Sequence, residues 1–425
     1  MGAIQQTYEV LTERYAGLFR ETVRPIRRVG REAEFPLVYA DGRAGEVARM
    51  WEPLMTGGEF VPQYDDPKTH SLIEALTGVH GRVEVEVGRA TVELVLGPYE
   101  DLWQLEEGSR RLVRQVAQVA DQLGMRLLGF GIQPRSRASS SLMTPKQRYV
   151  YLARAAGPAW WRFTTTAADQ IHVDITRTEI TDVVNLLNLL SAPLIALTAN
   201  SSVYAGRAGR YLSGREGLLG ALGEHRAGMT PGPFNSVEEF VRYICRYRCY
   251  VLRRNGGFRQ YNRPFEEYLQ RHGPDIEAYL WHEHYTWNSA RPRAHNSTIE
   301  IRPACQQPHE EPLVVAALAL GWVEALAEVR AFVEEALADP WTSMKRYRRE
   351  AIVHGLRGRE PVERFVEGTL RIAEAGLRRR GRDEEQFLRP LWSRLEQRKT
   401  PGDRARDLVR SQGVAALVDA ACYHL

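Results

Sequence analysis

Lysine is nearly missing from this chain. Of its 57 basic residues only Lys68, Lys146, Lys345 and Lys399 are lysines, and the rest are arginine. That bias fits a GC-rich genome, with selection for heat stability as a second cause. The net charge is only +4 over 425 residues, so there is no broad basic field. The strongest basic run, Arg378-Arg379-Arg380-Gly381-Arg382, runs straight into Asp383-Glu384-Glu385. Aromatic residues are not interleaved with the arginines as a base-stacking platform requires, which argues against a nucleic-acid partner. Cysteine is also scarce. Four in the whole chain make no disulfide framework, and a reducing cytoplasm is the expected compartment. Cys245 and Cys249 fall four apart in a stretch of helical spacing, on one face. With no second pair at zinc-ligand spacing they read as buried thiols. No apolar run reaches 18 residues, so no membrane span is expected. The start lacks the basic and apolar segments of a signal peptide, and Gln6 breaks the myristoylation pattern. Ser139, Ser140 and Ser141 sit in a loop with no nucleophile elbow, so no serine triad is arguable.

What is present is a set of acidic strands. Arg31-Glu32-Ala33-Glu34-Phe35 and Thr298-Ile299-Glu300-Ile301-Arg302 are short strand-like runs far apart in the chain. Side chains two apart in a strand share a face, so Glu32 pairs with Glu34 and Glu300 with Arg302. A carboxylate on an otherwise apolar strand is costly to bury unless a cation or a donor meets it. If both strands face one cavity, three carboxylates and a guanidinium converge there, a set suited to divalent metals holding a polyphosphate. Glu93 sits in a third such run, Thr91-Val92-Glu93-Leu94-Val95-Leu96. A fourth, Asp169 to Ile175, alternates strictly: Gln170, His172 and Asp174 point one way, and Ile171, Val173 and Ile175 the other.

The remaining pattern predicts helices over residues 1–23, 43–55, 100–124, 145–155 and 179–199. It also predicts a hairpin between about 82 and 97, and a mobile Ser-rich loop over 132–144. Two helices precede the Glu300 strand, and from 309 onward everything reads helical, with breaks at Pro340 and Pro401. Trp281, Tyr285 and Trp287 around His282 and His284 read as an aromatic pocket wall rather than a metal pair. The fold class expected is α+β, an antiparallel sheet covered on one side by helices.

In this order the pieces resemble the glutamate–cysteine ligase family, in its plant-type and bacterial carboxylate–amine ligase branch. The matching segments are Val29-Gly30-Arg31-Glu32-Ala33-Glu34, Val92-Glu93-Leu94, Met143-Thr144-Pro145 with Arg148-Tyr149, and Gln170 to Asp174. Ala199-Asn200-Ser201-Ser202, Tyr211 to Arg215 and Ile299 to Arg302 complete the series. The resemblance implies a curved antiparallel sheet whose open face forms an active-site funnel backed by helices, the plan of the glutamine synthetase catalytic domain. It implies a catalytic domain over 1–335 with a helical C-terminal extension over 336–425 packed on it. It further implies ATP and Mg²⁺, with Mn²⁺ as a substitute, and glutamate activated as an acyl phosphate and joined to cysteine. Glu32, Glu34, Glu93, His172 and Glu300 would hold metal. Arg302 and Glu300 would be catalytic, and His172, Gln170 and Arg302 would contact the nucleotide. Arg215, Tyr211 and Asn200 would bind the donor substrate, with Arg291 and Arg293 as weaker candidates. A homo-oligomer is left open. Two stretches depart from the family pattern: Gly88-Arg89-Ala90-Thr91-Val92 lacks the usual Gly-Gly-Gln, and Pro303 to Gln307 lacks the usual acidic residue. They motivate a second reading, a specialised-metabolism ligase with a different amine. A non-catalytic nucleotide-binding relative is the third.

Overall fold

The computed structural model describes residues 2–66, 68–223, 226–254 and 257–423. Its centre is a nine-stranded sheet. The strands are β1 (Val29–Tyr39), β2 (Val61–Tyr64), β3 (Ile73–Gly78), β4 (Gly81–Val85), β5 (Thr91–Tyr99), β6 (Met125–Leu127), β7 (Asp169–Asp174), β8 (Ala290–Arg293) and β9 (Thr298–Ile301). They run in the order β8-β9-β7-β1-β5-β4-β3-β2, with β6 pairing the far end of β1. Every pairing in this sheet is antiparallel.

Strand alternation divides the sheet into two chemical faces. Val29, Ala33 and Phe35 of β1, Val92 and Leu94 of β5, Ile171 and Val173 of β7, and Ile299 and Ile301 of β9 all enter one apolar core. The helices Leu102–Gln122 and Val314–Glu324 supply the other side of that core. The first helix is capped by Asp101, whose carboxylate accepts from the Gln104 amide. Glu32, Glu34, Glu93, Gln170, His172 and Glu300 stand on the opposite face by the same alternation. The α+β plan read from the sequence is the one observed.

Elsewhere the structure corrects the sequence. The helix expected over 179–199 is two helices, Ile180–Leu189 and Ser191–Thr198, bent by 46° at Leu190. Residues 43–55 hold only a 3₁₀ turn, Val47–Met50, and the short helix Trp51–Thr56. The Ser-rich segment buries Gln133, whose amide donates to Ala90 O at 2.7 Å. The helix carrying Cys245 ends there, and Cys249 lies on a hairpin, Arg248–Arg254 with Gly257–Pro264. All four cysteines are buried, and no disulfide joins them. No single described helix is long and apolar enough to cross a membrane.

The helices Val314–Glu324 and Phe365–Arg380 cross at glycines. A Cβ on Gly321 would stand 2.4 Å from Ala373 O, and one on Gly376 would stand 2.2 Å from Gly321 O. Gly321→Val is therefore expected to push the pair apart. The expected cost is about 1–3 kcal/mol, read as a lower Tm in thermal unfolding.

Candidate active site

The polar face of the sheet floors a cavity of about 310 Å³. Register explains why its carboxylates cluster. Glu34 lies opposite Glu93 on β5, and Glu93 lies opposite Glu84 on β4. Glu300 on β9 lies opposite His172 on β7. Neighbouring strands are about 4.8 Å apart, so acids on adjacent strands at one level are forced together.

Two groups result. In each, one ligand atom per residue lies within 4.8 Å of the others: Glu32 with His172 and Glu300, and Glu34 with Glu86 and Glu93. In the first group His172 Nε2 is 3.0 Å from Glu32 Oε1 but is buried with no aligned hydrogen bond. Its Nδ1 lies 3.2 Å from the Thr298 hydroxyl, which fixes the ring. A buried imidazole nitrogen left facing a carboxylate fits a divalent cation between them. Burial opposes ionisation of Glu32, but His172, Arg293 and Arg302 outweigh it and hold its carboxyl well below the usual range.

The second group is the reverse. Burial, with Glu86 beside it, pushes Glu34 up to about 7 despite Arg215. Burial and four neighbouring carboxylates push Glu93 well above its ordinary value. Three crowded acids need either protons or a hard cation, and oxygen-only ligands suit magnesium or manganese.

Guanidiniums crowd the same cavity. Arg291 grips Glu300 with both arms, Nε to Oε2 at 2.8 Å and Nη2 to Oε1 at 3.0 Å. Arg293 Nε stands 3.3 Å from the same carboxylate, and Arg302 donates to both Glu300 and Gln170. Gln170 in turn donates to Glu34 Oε1 at 2.7 Å. Arg215 is buried, donates to Glu216, and leaves its Nε without a partner. Trp160, Phe163 and Trp287 form one wall, with ring centroids 4.9–5.6 Å apart.

The structure thus brings together Glu32, Glu34, Glu93, Gln170, His172, Glu300, Arg302 and Arg215. It holds Asn200 and Tyr211 apart from the cavity lining. Asn200 donates to Gly129 O at 2.9 Å and Gln306 O at 2.8 Å, so its amide fixes loops. Tyr211 packs its ring against Gly217. Sequence reading missed Glu86 and Glu84. The signal was there, since Val83-Glu84-Val85-Glu86 alternates as Glu32-Ala33-Glu34 does. Arg291 and Arg293, the weaker donor candidates, both form ion pairs with Glu300.

Residues 28–420 match the family model described as glutamate-cysteine ligase family 2. The chain belongs to this family. A glutamate–cysteine ligase of Brassica juncea is 27% identical over 385 residues, 85% of this chain and 71% of that protein. One from Oryza sativa is 26% identical over 343 residues, 75% and 68% respectively. A Rubrobacter xylanophilus protein named for the same activity is 28% identical over 262 residues, 59% of this chain. This chain spans 63% of that relative's length. Among solved structures, the Francisella tularensis glutamate–cysteine ligase in complex with AMP superposes with a TM-score of 0.53 at 11% identity, over 95% of this chain and 88% of that one. A bifunctional glutathione synthetase of Pasteurella multocida gives 0.55 at 14%, over 97% and 53%. At such identities the likeness shows the fold alone.

Proposed function

We propose that this chain is an ATP-dependent carboxylate–amine ligase that activates the γ-carboxylate of glutamate as an acyl phosphate and joins it to the amine of cysteine. One observation carries the reading: the lining of a single cavity sets the carboxylates Glu32, Glu34, Glu86 and Glu93, which call for cations, beside the guanidiniums of Arg215, Arg291, Arg293 and Arg302, which call for anions beyond Glu300. A metal-bound polyphosphate answers both demands, and the relatives named above are ligases for these substrates.

In this reading Glu32, His172 and Glu300 hold one divalent ion and Glu34, Glu86 and Glu93 another. When bound, such ions would supply positive charge to offset that of the phosphate groups. Arg302 stands over the Glu300 group and stabilises the transferring phosphoryl group. Arg215, with its free Nε, holds the donor's α-carboxylate. The donor's γ-carboxylate oxygen attacks phosphorus and ADP leaves. The acceptor's neutral amine then attacks the acyl carbon, the C–O bond to phosphate breaks, and phosphate departs with a proton from nitrogen.

The same proposal covers organisation. The helices beyond 336 form an extension of the catalytic domain. In support, Arg394 donates to Leu197 O at 2.9 Å and Gln307 Oε1 at 2.8 Å, and the Gly402 amide donates to Ala199 O.

The test is ADP and phosphate release from magnesium-ATP with glutamate against a panel of amines. Release that needs both glutamate and cysteine supports the reading, and release with neither overturns it. A second reading keeps the chemistry and changes the acceptor. The Trp160–Phe163–Trp287 wall favours it, since a thiol side chain needs no such apolar surface. Arg215→Ala is expected to raise KM for the donor about tenfold or more and to change KM for ATP little, as steady-state kinetics would show.

A further inference from the structure

In the ligase reading, on which this inference rests, Arg215 holds the donor's carboxylate. Its neighbour on the helix Gly214–Leu219 competes for the same guanidinium. Glu216 is buried, and its Oε1 accepts from Arg215 Nη1. A buried carboxylate that closes on one guanidinium with both oxygens cancels its charge. Arg215 would then have none left for a substrate.

The second oxygen is occupied from elsewhere. Glu216 Oε2 accepts from Arg348 Nη2, on the helix Pro340–His354. Among the described residues neither arginine pairs with another acid, so the trio sets two positive charges against one negative. Arg348 is held in place. Gly228, at φ +84°, lies against its guanidinium, and a Cβ there would stand 3.2 Å from the guanidinium carbon. The same helix also fixes the approach to Arg215: Ile352 O accepts from the amides of Leu212 and Ser213, both at 3.0 Å. The Arg215 amide itself donates to Ser201 Oγ at 3.0 Å. Arg215, Glu216 and Arg348 line a recess of about 30 Å³ that shares Arg215, Arg302 and Trp287 with the main cavity.

We propose that Arg348 is a positioning residue of the donor site: it takes one oxygen of Glu216, so that Arg215 keeps a net positive charge for the donor's carboxylate. The C-terminal helices then complete the site as well as packing on it. The test is a charge count, read by steady-state kinetics of the full chain with glutamate as the varied substrate. Arg348→Met leaves one positive charge against one negative. It is expected to raise KM for glutamate about tenfold and to leave kcat and KM for ATP within about twofold. Arg348→Lys keeps the charge and is expected to restore most of the affinity. Glu216→Gln added to Arg348→Met returns the count to one net positive charge, and should bring KM for glutamate back to within about threefold of wild type. A merely structural Arg348 predicts the reverse, since the double variant takes the cluster further apart. A double variant no better than Arg348→Met, or an unchanged KM in Arg348→Met, would overturn the proposal with the ligase reading intact. A wild-type chain that releases no ADP with glutamate would overturn the ligase reading, and the proposal with it.

Discussion

Glu300→Ala is expected to lose ADP release by at least about a hundredfold and to melt at a lower temperature than wild type. The two losses have different origins. Glu300 is 1% exposed and is the shared counter-charge of Arg291, Arg293 and Arg302. Removing it leaves three guanidiniums in a buried site, and breaking a buried pair from one side costs about 3–5 kcal/mol. Sequence alone suggests a variant that is inactive but folded. The structure makes Glu300 the buried counter-charge of three arginines, a role separate from the proposed one at the metal.

Two further variants separate the effects. Glu300→Gln keeps the shape and two lone pairs while losing the charge, so it should melt between the other two and stay inactive. Arg291→Met on top of Glu300→Ala removes one stranded cation and fills its volume. It should return part of the lost stability and none of the lost activity. If Glu300→Ala still releases ADP at the wild-type rate, the Glu32–His172–Glu300 group is not the phosphate site. If it melts normally while inactive, water solvates the arginines and the network is not structural.

The gathering of these side chains on one face was legible from sequence because its signal is period two. Glu32, Glu34, Glu93, His172 and Glu300 each interrupt an apolar strand, and burying an acid there is unfavourable without a partner. The strands opposite were less legible. β3, Ile73-Glu74-Ala75-Leu76-Thr77-Gly78, is rich in helix formers and becomes a strand only because β2 and β4 flank it. β2 contains Pro62 and exposes Val61, as an edge strand does. The hairpin after Arg248 was overrun by the helical spacing of Val241, Ile244 and Cys245, although Asn255-Gly256-Gly257 spells a turn. Glu86 lies just past β4, where its amide donates to Thr91 O, so placing it beside Glu93 takes the register of the hairpin and not its existence alone. Register between strands distant in sequence is a tertiary property, set by which faces the core takes.

Magnesium is expected to stabilise the protein more at pH 8 than at pH 5.5, and Glu93→Gln is expected to remove most of that difference. Glu34 has a folded-state pKa of about 7 against an ordinary 4.5, raised by burial and by Glu86. Glu93 is raised as well, by burial and by the carboxylates around it. A raised carboxyl holds its proton in the folded state while the unfolded chain has released it. Between about pH 4.5 and 7 the metal-free protein therefore loses stability as pH rises, of order 3 kcal/mol for Glu34 alone. A divalent cation replaces those protons, so the stability it restores grows over the same window and its binding releases protons. Glu283 provides the control. Burial lifts it to about 7 against Arg293 and Arg291, and it accepts from the Tyr15 hydroxyl at 3.2 Å, yet it belongs to neither carboxylate group. Glu283→Gln should flatten part of the pH dependence without changing the magnesium response. Melting curves at pH 5.5, 7 and 8, with and without magnesium, decide the matter. A magnesium shift that is flat with pH would mean that the Glu34–Glu86–Glu93 group is not where the ion binds.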